Sequence, residues 1–311
     1  MILALQFYEG DMNNAMKLAR LLADIEPVPR KDVLLALVCQ PGTPLDGRVK
    51  EVLSHCSKKF AVEHVVSKYG AKGWADGSGQ LWTGTMEHFH EQWKKGLVSF
   101  GMIFTFDGGD GVPLRRDWID VLKKEQSRAL SLGKLVVGQR KEMSGGNKAG
   151  KWSPRTHVNG NMILHLMIWD KYPSLHCTPL GASLMMCNTW DMYHADVFLE
   201  EVMPSSVICS EWRKNGLNEA IMSDRARHSA WLHGYRDHDI VDTARRFLLP
   251  GLKVSTVQKR HFVKTVKQSS VKIITQQSSS PSPLVTSTNP GTVNPSEQCG
   301  GRGIAVDVHI G

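Results

Sequence analysis

Three stretches of this chain place side chains that could hold a charged ligand. In "SFGMIFTFDGGDGVPL" an apolar run ends in Asp107 and Asp110, spaced by glycines. Neighbouring carboxylates repel unless a positive charge sits between them, and oxygen ligands of this type suit Mg²⁺ or Mn²⁺. A tight turn also favours Asp and Gly, so turn and cation site are both open on these residues alone. In "HVNGN", His157, Asn159, Gly160 and Asn161 follow a polar, glycine-rich stretch, and Asn-Gly is equally a hairpin signal. In "WLHGYRD", His233 precedes Gly234 and Arg236, and a lone histidine is either a satisfied core residue or a ligand. Two carboxylates with a distant histidine suit mixed oxygen and nitrogen ligation, and a cation so held would neutralise a diphosphate leaving group.

The elements around these residues must bring them together. Apolar runs at Ile2–Tyr8, Asp32–Cys39, Ala61–Lys68 and Ser99–Phe106 read as strands. Between them, Asn13–Asp24, Arg48–Phe60 and Met86–Val98 read as helices, the first with Ala15, Leu18, Ala19 and Leu22 on one face. Such alternation predicts an α/β fold with a mostly parallel sheet flanked by helices. Further on, Asp117–Leu132 reads as a helix, Gly133–Gly138 as a short strand, Ser205–Cys209 as a late strand and Asp239–Leu248 as a last helix. In open α/β sheets ligands bind beyond the carboxyl ends of the strands, which is where the aspartates fall.

The totals narrow the classes. At 311 residues, 41% hydrophobic and 22% charged, the chain has the balance of a globular protein. Its apolar runs are too short to cross a bilayer, so no membrane association is expected. No basic leader precedes the first apolar run, and a cytoplasmic location is expected. Six scattered cysteines without CxxC spacing read as reduced core residues rather than a zinc site. The formal charge is +8, and beyond Pro250 seven basic residues face two acidic ones. The division expected is a folded domain over 1–250 and a basic, then Ser/Thr/Pro-rich, mostly disordered tail over 251–311.

The chain resembles the GT-A class of nucleotide-sugar glycosyltransferases, particularly phage-type enzymes, through motifs in order over about residues 1–248. Asp110-Gly111-Val112-Pro113-Leu114 is similar to the second half of the family's acidic motif and the "PL" after it. Gly108 stands where the first acid is usual, with Asp107 one residue earlier. "GWADGSGQLW", Gly73 to Trp82, resembles the segment near the nucleotide, with Gln80 in place of an asparagine. "HVNGN" resembles a block on the acceptor side, "WDMYHA" a block carrying a carboxylate near the sugar, and "LHGYRD" a terminal block.

The resemblance implies a Rossmann-type GT-A fold and sugar transfer from a nucleotide-diphosphate donor, a UDP-sugar favoured, to a hydroxyl acceptor. Asp107, Asp110 and His233 would hold Mn or Mg. Gly73, Trp74, Gly77, Gln80, Gly234 and Arg236 would face the donor and its diphosphate. His157, Asn159, Gly160 and Asn161 would lie on the acceptor side. Asp191 would deprotonate the acceptor hydroxyl, or orient the donor, or only cap the helix after it. Some phage-type members glycosylate hydroxymethylated pyrimidines in DNA, and the basic segment Arg140–Arg155 with Trp152 would suit that acceptor. The rival reading is a non-catalytic nucleic-acid or partner-binding protein on a degenerate transferase fold, favoured by Gly108. The acidic "YEGDMNN" after the first strand weighs against a nucleotidyltransferase and against a dinucleotide-binding oxidoreductase, both of which need a glycine-rich turn there.

Overall fold

The computed structural model describes residues 1–43, 47–70, 74–142, 156–176, 194–213, 216–235 and 239–251. The chain alternates as its apolar pattern requires. β1 (Ile2–Phe7), α1 (Met12–Ile25), β2 (Arg30–Cys39), α2 (Gly47–Cys56), β3 (Phe60–Val66), α3 (Trp74–Lys94) and β4 (Met102–Asp107) form the first half. β5 (Gly111–Pro113), α4 (Trp118–Ser131), β6 (Val136–Gly138), β7 (Arg140–Glu142), β8 (Thr156–Val158), β9 (Met162–His165) and α5 (Met167–Lys171) follow. α6 (Ala195–Glu201), β10 (Val202–Pro204), β11 (Ile208–Arg213), α7 (Glu219–Ala226), β12 (Trp231–Tyr235) and α8 (Ile240–Leu248) complete the set.

Seven strands form the main sheet in the order β10-β6-β9-β4-β1-β2-β3, parallel except for β9. Each face is covered. Leu3, Leu5 and Phe7 of β1 point into a core shared with α1, α2, α4 and α8, while Ile2 and Ala4 join a second core with α3, α5 and α6. That two-sided burial is why the parallel strands read as unbroken apolar runs. A second sheet, β11-β12-β5, packs on the first core, and β7 pairs with β8 alone. Among the described residues no helix is long and apolar enough to cross a membrane, and Cys39, Cys56 and Cys209 are free thiols.

Several boundaries differ from the sequence expectation. α2 stops at Cys56, and Phe60 opens β3 instead of closing the helix, its ring buried. α3 begins at Trp74, twelve residues before Met86, so "WADGSGQLW" is helical despite its glycines. Packing overrides propensity there: the Gly77 carbonyl accepts from Gln40 Nε2 at 2.9 Å, and a Cβ on Gly84 would lie 2.1 Å from Ser67 Oγ. The single late strand expected at Ser205–Cys209 is two, β10 and β11, in different sheets. The basic glycine-rich segment begins and ends as strand, in β7 and β8, and 143–155 lies outside the described residues. Asn159-Gly160 is no hairpin turn, because β8 pairs with β7 whereas β9 enters the main sheet between β4 and β6.

Candidate active site

Asp107 is the last residue of β4, beside Gln6 of β1 in register, so it leaves the sheet at the carboxyl end of its central strands. The chain turns through two glycines and returns as β5, which runs antiparallel to β12 with Gly111 opposite His233. The Gly234 N–H donates to the Asp110 carbonyl at 2.9 Å, and the φ of +97° at Gly234 is one that glycine adopts without strain. Two separate strand ends are thereby clamped together. One ligand atom each from Asp107, Asp110 and His233 lies within 4.8 Å of the others.

The local electrostatics favour a cation at that point. His233 is 4% exposed, and its Nε2 stands 3.2 Å from Asp110 Oδ1. That oxygen is fully buried and accepts no hydrogen bond. A buried carboxylate oxygen without a donor is costly, and a second carboxylate from Asp107 adds like charge, so a divalent ion would relieve both. Oxygen, oxygen and imidazole nitrogen are donors that Mn²⁺ and Mg²⁺ accept, and the residues present fit such an ion.

Gly108 explains why the acid sits one position early. A Cβ there would lie 2.5 Å from the Ala15 Cβ and 2.9 Å from the Ala15 Cα, where α1 crosses the turn. No side chain fits at 108, and the last strand residue, Asp107, supplies the carboxylate instead.

An aromatic cluster fixes the two strand ends relative to each other. The Trp231 ring, two residues before His233, packs edge-on against Phe104 and Phe106 at 5.2 and 4.8 Å and lies 5.4 Å from Trp118. Its Nε1–H donates to Asn161 Oδ1 at 3.1 Å, in a fully buried contact. The Asn159 side chain in turn accepts from the Asn161 N–H at 3.2 Å, and the Gly160 carbonyl accepts from Thr105 Oγ1 at 3.5 Å. His157, also buried, sits on β8 opposite Lys141. The "HVNGN" block is therefore built into the wall behind the cluster, with the Asn161 side chain turned toward Trp231.

On the other side of Asp107, the Gln6 side chain donates to Thr85 Oγ1 at 2.8 Å, tying α3 to the end of β1. Gln80 is half-buried on the same helix, and Trp82 is buried against Trp169 and Phe198. Gly73, Asp191 and Arg236 lie outside the described residues, as does the side chain of Trp74. Sequence reasoning passed over Gln6, Thr85 and Trp231. Only Gln6, polar within "MILALQF", carried a visible signal.

No protein-family model matches this chain, and no curated protein matches it by sequence. Among solved structures, galactosyltransferase LgtC in complex with donor and acceptor sugar analogues aligns over 83% of this chain and 98% of its own. The TM-score is 0.50 at 10% identity. Mouse xyloside xylosyltransferase 1, in its apo form, aligns over 75% of this chain and 98% of its own, at TM-score 0.45 and 13% identity. The chain has the GT-A fold. In a GT-A fold the three-residue cluster stands where the parallel strands end, the position that open α/β sheets use for ligands.

Proposed function

We propose that the protein is a metal-dependent glycosyltransferase that moves a sugar from a nucleotide-diphosphate donor to a hydroxyl acceptor, within residues 1–250. The observation that carries the reading is the convergence of Asp107, Asp110 and His233, with a buried Asp110 oxygen that accepts no hydrogen bond, on this fold. The donor and acceptor sugar analogues bound to LgtC support a nucleotide sugar as partner.

A divalent cation, Mn²⁺ or Mg²⁺, would supply neutralising charge for the departing diphosphate. Asp107, Asp110 and His233 would hold it, and Gly234 keeps His233 and Asp110 in register. Arg236, which follows β12 in the sequence, would face phosphate. Gly77 and Gln80 on α3, with Gly73 and Trp74 before them, would line the nucleotide side, and Asp191 would act on the acceptor hydroxyl or orient the donor sugar. A hydroxymethylated base in DNA rests on the sequence resemblance and the segment 140–155 alone, and is not carried into the proposal.

The test is thermal melting with nucleoside diphosphates and UDP- or GDP-sugars, with and without Mn²⁺, on wild type and Asp110→Ala. A ligand that binds only the native state raises Tm by mass action. A metal-dependent rise with one nucleotide, lost in the variant, supports the reading. No rise with any donor overturns it in favour of a non-catalytic binding protein.

A further inference from the structure

Gln6 is the one polar side chain in β1, and it is 5% exposed. Ile2 and Ala4 face the core that includes α3, and Gln6 faces the same way at the carboxyl end of the strand. Asp107 stands beside it in register on β4, so the two side chains rise on one face of the sheet from strands about 4.8 Å apart. The Gln6 carbonyl also accepts from the Gly108 N–H at 2.9 Å, which ties residue 6 to the turn between Asp107 and Asp110.

A glutamine amide can be turned either way, and here its neighbour fixes it. Thr85 Oγ1 lies 2.7 Å from the Leu81 carbonyl oxygen, one turn earlier in α3. Two oxygens that close need a hydrogen between them, and only the hydroxyl has one. Toward Gln6 the Thr85 oxygen therefore offers lone pairs alone, and Gln6 Nε2 donates to it at 2.8 Å. Turned over, the amide would set two acceptors against each other. Oε1 is thus the atom left facing elsewhere, and among the described residues nothing donates to it. An acceptor without a donor in so enclosed a place is costly, and a ligand that brings an N–H or O–H removes that cost. The first turns of α3 extend beyond Thr85, where the Gly77 carbonyl accepts from Gln40, just past the end of β2. Gln6 and Asp107 therefore end their strands on the side that faces this helix.

We propose that Gln6 is a specificity-determining residue on the donor side. Its Oε1, fixed by Thr85, accepts a hydrogen bond from an N–H or O–H of the nucleoside, while Asp107 takes the cation. This rests on the reading of the protein as a nucleotide-sugar glycosyltransferase. Ionised phosphates carry no such hydrogen, so the bond distinguishes a nucleotide from a bare diphosphate.

The test titrates the full chain, in the presence of Mn²⁺, with UDP, GDP and inorganic pyrophosphate. Gln6→Met fills similar space without the acceptor. It is expected to weaken nucleotide binding about 5–150-fold, while pyrophosphate binds as in wild type and melting shows the variant folded. Thr85→Val, which releases the amide, should shift nucleotide binding in the same direction, and Thr85→Ser should restore it. Base-N-methylated, 2′-deoxy and 3′-deoxy analogues of the nucleotide that binds assign the hydrogen: the analogue lacking it binds wild type and Gln6→Met alike. If all three still tell the two proteins apart, the hydrogen-bond account fails. Nucleotide binding indifferent to residue 6, or an equal loss for pyrophosphate, overturns this proposal and leaves the glycosyltransferase reading standing. A wild-type chain that binds no nucleotide with Mn²⁺ overturns both.

Discussion

Gly108 and Ala15 meet so closely that a Cβ on the glycine would come within 2.9 Å of the alanine Cα. Backbone cannot yield as a side-chain tip does, so the turn after β4 tolerates no side chain at that position. The resemblance to GT-A enzymes taken alone makes Gly108→Asp a repair of the acidic motif. The structure makes it an overpacking substitution, expected to cost about 1–3 kcal/mol. Urea unfolding and Mn²⁺ titration of Gly108→Asp check this: lower stability with no gain in affinity is expected, and tighter Mn²⁺ binding at unchanged stability would contradict the steric account.

The Asp110 carboxylate should change sign in its effect on stability with the cation. At pH 8, where an ordinary histidine is neutral, the metal-free protein buries an oxygen that accepts no hydrogen bond beside a second carboxylate. Asp110→Asn is expected to stabilise that form by about 1–3 kcal/mol. With Mn²⁺ at 100 times its Kd, wild type gains about 2.7 kcal/mol, roughly 5–10 °C in Tm, and the variant loses this gain. Melting curves of both proteins with Mn²⁺ and with a chelator should therefore cross. Asp107→Asn, at an exposed position, should move the metal-free Tm less.

How much of this was legible beforehand depended on the range of the cause. The parallel sheet showed in apolar runs such as Leu34–Cys39, because burial on both faces leaves no alternation to misread. Asp107, Asp110 and His233 were visible as residue types, but their meeting depends on the antiparallel pairing of β5 with β12, between strands more than a hundred residues apart. The helical start of α3 was hidden because its glycines are set by contacts with Gln40 and Ser67, not by propensity. Ser210, whose Oγ lies 2.9 Å from His233 Nδ1, gave no signal at all, because only folding brings the serine to the imidazole.

Trp231 and Asn161 should behave as one unit. Trp231→Phe keeps most of the aromatic packing but removes the donor to Asn161 Oδ1, leaving a buried amide oxygen unpaired. A cost of about 1–3 kcal/mol is expected. Asn161→Ala leaves the indole N–H unpaired in the same way. Because each single change already breaks the bond, the double variant should cost less than the two together, with a coupling of about 0.5–3 kcal/mol. Urea midpoints for the four proteins measure it. Strict additivity would mean that the Asn161 side chain serves something other than Trp231.

Glu26 should make the protein less stable as pH rises. Its carboxyl is buried, Oε1 accepts no hydrogen bond, and Oε2 is 3.7 Å from Arg30 Nη1. Burial raises its pKa from 4.5 to about 7, outweighing the opposite pull of Arg30 and Lys59, while Asp120 and Asp32 raise it further. Between those two values the native state binds more protons than the unfolded chain, so stability falls with rising pH across this window. Above it, the full cost of the buried charge is present. Arg30 also bonds Asp120 and Asp32, which leaves its charge shared rather than dedicated to Glu26. Glu26→Gln is expected to flatten the stability profile from pH 5 to 8 and to exceed wild type at pH 8 by about 1–3 kcal/mol. Urea unfolding at pH 5.5 and 8 decides the matter. A wild-type protein whose advantage over Glu26→Gln grows toward pH 8 would show that pairing with Arg30 outweighs burial.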